Sequence, residues 1–166
     1  SKIVGFEPNP NVFPLLEDNI KGNNIRNVTL YNLALSKNNG ERILYIDSSG
    51  DGAFSTSSFI PNAWNGKQKT RGIKVKTVKL STYIHKPVDL LKIDTEGAEL
   101  EILQDLYTSK KFNLIKNIVL EYHPVKKFGL KRVLEILKSE GFTINTKEDM
   151  NGDEGLIFVI GNKSPK

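Results

Sequence analysis

Three apolar runs in this sequence stop abruptly on acidic or polar groups: IVGF before Glu7, VDLLKI before Asp94, and IKNIVL before Glu121, Tyr122 and His123. Runs of four to eight apolar residues are too short for helices of ordinary length and read as strands buried on both faces. Helix-period segments lie between them. AELEILQDL follows the second run, with Leu100, Leu103 and Leu106 on one side, and Leu130 to Glu140 forms a strongly periodic helix stopped by Gly141. Strands alternating with helices require a crossover on each return, so the expectation is an α/β fold with a mostly parallel sheet and helices on both faces.

The intervening stretches refine that expectation. Asn9 caps a helix that starts at Pro10 and turns Val12, Phe13, Leu15, Leu16 and Ile20 inward, with Gly22 as its left-handed terminator. VTLYNLAL, Val28 to Leu35, reads as one strand, and the KNNG turn leads into the strand RILYI. DSSGDGAFSTSSF reads as a loop, and IKVKTVKL alternates as a strand with one wet face. FTIN and LIFVI close the chain as an antiparallel hairpin. A length of 166 residues suits a single domain spanning 1–166.

Composition excludes several classes. With no cysteine, disulfides and thiolate metal sites are ruled out, and no apolar run reaches the ~18 residues of a membrane-spanning helix. No membrane partner is expected, and the chain reads as cytoplasmic. The net charge of +5 belongs to one segment: between Asp51 and Asp89 there is no acid but seven bases, Lys67, Lys69, Arg71, Lys74, Lys76, Lys79 and Lys86. A lysine-guarded edge strand accounts for such a segment, as does a patch for an anionic partner. Interleaved aromatics that would stack bases are lacking, so nucleic acid is not the expected partner.

In an open α/β sheet, ligands bind beyond the carboxyl ends of the strands. Glu7, Asp94 with Glu96, and Glu121 with His123 therefore define a candidate rim. Each has a plainer reading: Asp94 or Glu96 as a cap of the helix that follows, His123 as a surface histidine beside Pro124. Asp94 and Glu96 also have metal-ligand chemistry, but no third ligand is evident in the sequence and no metal is expected.

FEPNP after a strand, NLALS after the next, KIDTEGAELEIL in the middle and LEYHP near the end resemble the FkbM family of S-adenosylmethionine-dependent methyltransferases, in that family's order from about Lys2 to Phe142. The resemblance implies a Rossmann-like class I fold with S-adenosylmethionine as cofactor. It places Glu7 on the cofactor's ribose hydroxyls with Asn9 beside it, and Asn32 to Ser36 around the adenine, with Ala34 leaving room for the ring. Asp94 falls beside the cofactor's methionine end, and Asp94, Glu96 and His123 become the candidate catalytic bases. Ser55, Ser57, Ser58 and Glu121 fall on the substrate side.

Such enzymes begin with a strand and a glycine-rich loop of the form D-x-G-A-N-x-G, and only six residues precede Glu7 here. The expectation is that the chain starts at the family's second strand, with two normally inner strands left unpaired, and that alone it binds the cofactor weakly or not at all. The implied activity is O-methylation of a small hydroxylated metabolite or a sugar. Two alternatives stand beside it: a non-catalytic remnant acting as a binding or scaffold domain, and an RNA methyltransferase. Oligomerisation is open.

Overall fold

The computed structural model describes residues 1–47, 57–61, 70–123, 129–149 and 156–163. The chain divides into two compact units, Ser1–Val78 and Lys79–Lys166. Both combine sheets with helices or turns, as the alternating pattern requires, but the sheets are mixed where mostly parallel pairing was expected.

In the first unit, β1 (Ile3–Phe6) pairs in parallel with β2 (Val28–Tyr31). Between them runs α1 (Phe13–Gly22), which starts three residues later than its sequence suggests. The reason is local: the Asn9 side chain accepts a hydrogen bond from the Asn11 amide at 3.0 Å, and the Asn9 carbonyl accepts from Val12 and Phe13. The asparagine thus caps a turn ahead of the helix. The left-handed residue after α1 is Asn24, not Gly22. No residue of α1 is fully buried, so its apolar stripe is only partly covered in this unit.

The run VTLYNLAL does not form one strand. It breaks at Asn32 and Leu33, and β3 (Ala34–Leu35) leaves the β1–β2 pair to join a second sheet. That sheet has the order β3-β6-β4-β5, from β4 (Gly40–Asp47), β5 (Ser57–Ser58) and β6 (Thr70–Val78). β6 is parallel to β3 and antiparallel to β4, and Ala34, Leu44, Ile46 and Val75 form the buried cluster beneath. β3 flanks β6 only at Thr77 and Val78, so along Arg71–Lys76 the strand is paired with β4 alone among the described residues, and Lys74 and Lys76 are exposed there. Lys67 and Lys69 lie outside the described residues.

In the second unit, β7 (Val88–Ile93) and β8 (Ile115–Tyr122) are parallel, with α2 (Glu99–Thr108) as their connection. α3 (Gly129–Ser139) packs on α2 and leads, past the left-handed Gly141, into β9 (Thr143–Asp149). β10 (Leu156–Asn162) then inserts between β8 and β9, antiparallel to both. The expected C-terminal hairpin is present, with its second strand on the inside. Ile102, Leu103, Leu106, Phe112, Ile118, Leu120, Val133 and Leu137 fill the core, and Phe112 meets Phe142 edge-on at 5.9 Å. Within it, the Asp105 carboxylate accepts from the Ser81 amide at 2.8 Å and the Ser81 hydroxyl at 2.7 Å, fixing the turn before β7 to α2.

β1 and β7 each sit at the end of their sheet. Val4 is 54% exposed and Leu90 58%, so the burial on both faces that their apolar runs suggested is not found at these positions. A strand at a sheet's end lacks one neighbour, and its side chains lose the flanking cover.

Gly129 opens α3 directly beneath the Tyr122 ring, and a Cβ there would overlap the Tyr122 hydroxyl. Gly129→Ala is expected to destabilise the protein by about 1–3 kcal/mol, the usual cost of overpacking. Adding Tyr122→Phe should recover part of that loss in a denaturant titration. Equal stability of Gly129→Ala and wild type would contradict the packing.

Candidate functional site

Parallel neighbours end at the same edge. Because β7 and β8 pair in parallel, with Ile93 opposite Leu120, the residues just beyond them emerge side by side. Asp94, Glu96, Glu121 and His123 are brought together in this way, and ligand atoms of Asp94, Glu96 and His123 lie within 4.8 Å of one another.

The turn that carries the first two is bent in an uncommon way. Glu96 has φ 52° and Gly97 φ 108°. Glycine adopts such angles freely, but a glutamate there carries a conformational cost of about 1 kcal/mol or more. Glu99, the first residue of α2, offsets it. Its Oε1 accepts from the Gly97 amide at 2.9 Å, the Thr95 amide at 3.3 Å and the Thr95 hydroxyl at 3.2 Å. Neither Asp94 nor Glu96 caps α2: its flanking residue is Ala98, without a side-chain bond. The capping carboxylate sits inside the helix and reaches back, in the favourable field of the helix N-terminus.

The same Glu99 oxygen holds the histidine, accepting from His123 Nδ1 at 3.1 Å. A carboxylate accepts only, so the proton of this contact is on Nδ1 and the ring is turned to present Nε2. That nitrogen lies 3.3 Å from Glu96 Oε2 and 3.7 Å from Glu121 Oε1. Glu99 is 1% exposed and the His123 side chain 12%, whereas Asp94 is open to solvent and pairs with Lys92 at 2.8 Å. Burial pulls the His123 imidazole down, but its bond to Glu99 and the charges of Glu96, Glu99 and Glu121 outweigh this and hold it above its ordinary value. Burial likewise pushes the neighbouring Tyr122 phenol up, with the Glu99 charge adding to the effect.

Glu99 is absent from the residues that the sequence singles out, because leucine spacing alone turns Leu100, Leu103 and Leu106 inward. The buried side of α2 consists instead of Glu99, Ile102, Leu103, Asp105 and Leu106. The spacing 99, 102, 103, 106 is itself a helical stripe, and an acid in register with it is the signal that could have found this residue.

In the first unit, Glu7 follows β1 with its amide donating to the Tyr31 carbonyl at 3.1 Å. Its carboxylate is half-buried and accepts from the Asn9 amide at 2.7 Å. Burial raises its pKa, and that amide partly counters the rise. The Asn32 side chain donates to the Glu7 carbonyl at 2.8 Å, tying the ends of β1 and β2 together. Asn9 and Ala34 are both buried, Asn9 in its own turn and Ala34 in the apolar cluster of its sheet. Neither presents an open surface, so the room that Ala34 was expected to leave for a ring is filled by core.

On the expected substrate side, Ser57 and Ser58 form a short strand against Tyr45 and Ile46 where a loop was expected. The buried Ser58 hydroxyl accepts from the Ile60 amide at 3.1 Å. Ser55 lies outside the described residues.

Comparison with known proteins bears on the family and the fold. The model of the Methyltransferase FkbM domain matches residues 1–144. "Methyltransferase 1" of Beauveria bassiana (strain ARSEF 2860) is 28% identical over 162 residues, covering 87% of this chain and 64% of that protein. The chain thus spans less than two thirds of that relative's length. Among solved structures, the methyltransferase FkbM from Methylobacillus flagellatus KT superposes with a TM-score of 0.64 at 11% identity, over 96% of this chain and 36% of its own. An rRNA methylase from Streptococcus thermophilus gives a TM-score of 0.52 at 9% identity, over 98% of this chain and 74% of its own. These likenesses establish a Rossmann-like methyltransferase fold.

Two outcomes follow from the geometry. Glu99→Ala strips an acceptor from two amides and an imidazole and is expected to cost about 2–4 kcal/mol, since each buried group left unpaired costs about 1–3. Asp94→Ala, at an exposed position, should cost well under 1 kcal/mol; thermal unfolding of the two variants compares them. Glu7 gives a pH effect of defined sign. Its folded value is raised, so the stability it contributes is full below its ordinary value of 4.5 and is lost as pH rises through the folded value. Denaturant titrations of wild type against Glu7→Gln should show this difference, and an opposite slope would contradict the burial of the carboxyl.

Proposed function

This chain belongs to the FkbM methyltransferase family, and from that premise we propose that it transfers a methyl group from S-adenosylmethionine to a hydroxyl oxygen of a small metabolite or a sugar. The observation that carries the choice of oxygen is the His123 imidazole set among Glu96, Glu99 and Glu121 at the ends of β7 and β8. A hydroxyl must lose its proton as it is methylated, and a cluster of carboxylates and imidazole accepts one.

The residues of the first unit fit the cofactor's ribose. One Glu7 oxygen is taken by the Asn9 amide, and among the described residues the other takes no hydrogen bond. A half-buried carboxylate with a spare oxygen is the acceptor that vicinal hydroxyls require. The Asn32–Glu7 bond holds the strand end that carries it.

When bound, S-adenosylmethionine supplies an electrophilic methyl carbon on a sulfonium. Glu7 binds the ribose and fixes the position of the donor. Glu99 fixes the histidine ring. Asp94, Glu96 or His123 would take the one proton that the acceptor hydroxyl gives up on methylation. Because the bound donor would supply the electrophile, alignment of the acceptor is the main contribution asked of the protein.

Calorimetric titration with S-adenosylhomocysteine is expected to show weak, saturable binding that falls about tenfold or more in Glu7→Ala, the effect of losing a charge-assisted hydrogen bond. Identical affinity in the variant would remove Glu7 from the cofactor site. Incubation with S-adenosylmethionine and a panel of sugars and hydroxylated small molecules should give O-methyl products by mass spectrometry. Products methylated only on nitrogen or carbon would overturn the choice of acceptor.

A further inference from the structure

At the ends of β7 and β8 the structure turns acceptor atoms toward one another. With its Nδ1–H donating to Glu99, His123 points Nε2 toward Glu96 Oε2 at 3.3 Å and Glu121 Oε1 at 3.7 Å. Asp94 adds a carboxylate within 4.8 Å of the Glu96 and His123 ligand atoms. Asp94, Glu96, Glu99 and Glu121 bring four carboxylates to the cluster, and Lys92 pairs with Asp94 from its solvent side. A proton on Nε2 would serve the Glu96 contact alone. A divalent cation would serve all three ligand groups at once.

We propose that Asp94, Glu96 and His123 bind a divalent transition-metal ion. His123 is the third ligand that the sequence alone did not place beside the two acids. Bonds of about 2.1 Å at a tetrahedral angle set ligand atoms about 3.4 Å apart, close to the Glu96–His123 separation. Two such bonds in line span about 4.2 Å and the ligand atoms lie within 4.8 Å of one another, so a change of rotamer at the exposed Asp94 side chain suffices to bring it onto the ion. It keeps one oxygen for Lys92 and offers the other.

The feature that separates this cluster from a chance gathering of acids is Glu99. A metal-bound histidine characteristically donates its other ring N–H to a carboxylate, which fixes the ring and strengthens the ligand. Here that carboxylate is fully buried, anchored by the Thr95 and Gly97 amides, and lies on the helix that follows the turn bearing Asp94 and Glu96. One imidazole with carboxylates and no thiolate suits manganese, iron, cobalt or zinc better than calcium or magnesium, which prefer oxygen alone. Under the transfer reading, an ion at this position would bind the acceptor oxygen and ease loss of its proton, leaving Glu121 as the nearby carboxylate to receive it. That role rests on the proposed function; the binding itself does not.

The test uses the 166-residue protein with Mn2+ alone, in the absence of methyl donor and acceptor. Electron paramagnetic resonance is expected to count one bound Mn2+ per chain, with Zn2+ displacing it. Asp94→Asn and His123→Gln should each weaken binding at least tenfold. Glu99→Gln, which keeps an acceptor but loses the charge, should weaken it about tenfold or more through the ring it orients. Lys92→Ala frees an Asp94 oxygen and should leave affinity equal or higher, and circular dichroism checks that each variant is folded. Absence of bound Mn2+ and Zn2+ at millimolar concentration, or equal binding by wild type and the three ligand-side variants, overturns the proposal. Binding of Mg2+ tighter than Mn2+ overturns it too, because the imidazole would then contribute nothing. Either failure leaves the methyl-transfer reading intact, and loss of transfer activity with intact Mn2+ binding would do the reverse.

Discussion

One buried oxygen organises the second unit's site. Glu99 Oε1 collects the Thr95 and Gly97 amides, the Thr95 hydroxyl and His123 Nδ1. Removing a carboxylate from water is costly unless several donors replace the solvent, and here four donors do so. The left-handed backbone at Glu96, the start of α2 and the orientation of the imidazole are all settled by this arrangement. Each would be strained, frayed or free without it.

The site also depends on a topological fact. Asp94 and His123 are far apart in sequence, and they meet because the strands before them are hydrogen-bonded neighbours running in the same direction. α2 provides the crossover that makes parallel pairing feasible and contributes the buried acid at its first residue. The catalytic chemistry proposed for this chain therefore sits on a strand–helix–strand unit, where ligands of open α/β sheets ordinarily bind. The concentration of charge there has a direct consequence: the bond to Glu99 and the charges of Glu96, Glu99 and Glu121 outweigh the burial that would otherwise pull the His123 pKa down.

Much of this fold is legible in the residues alone. β1, β7 and β8 begin and end within two residues of the apolar runs that mark them, and α3 gives way at Gly141 as its periodicity indicates. The departures cluster where a local side chain competes with periodicity. Asn9 takes the first turn away from α1 by bonding Asn11. Asn32 draws its side chain to the Glu7 carbonyl, and the expected single strand breaks there into two that serve different sheets. The mixed pairing of the sheets is hidden from the sequence because alternating and continuous patterns report which faces are covered, not the direction of a neighbour.

The sequence by itself determined that this is an α/β chain with acids at strand ends, and its motifs determined the methyltransferase family. Period and composition act locally, so elements and their chemistry can be read from short windows. Only the tertiary structure decided that β6 pairs with both β3 and β4, that β10 lies inside β9, and that Glu99 is a buried anchor and not one more solvated helix acid. Those are matters of which strand lies beside which and which side of a helix is covered. They are set by long-range pairing and packing, where a gain of a few kcal/mol in burial or hydrogen bonding overrides local preference.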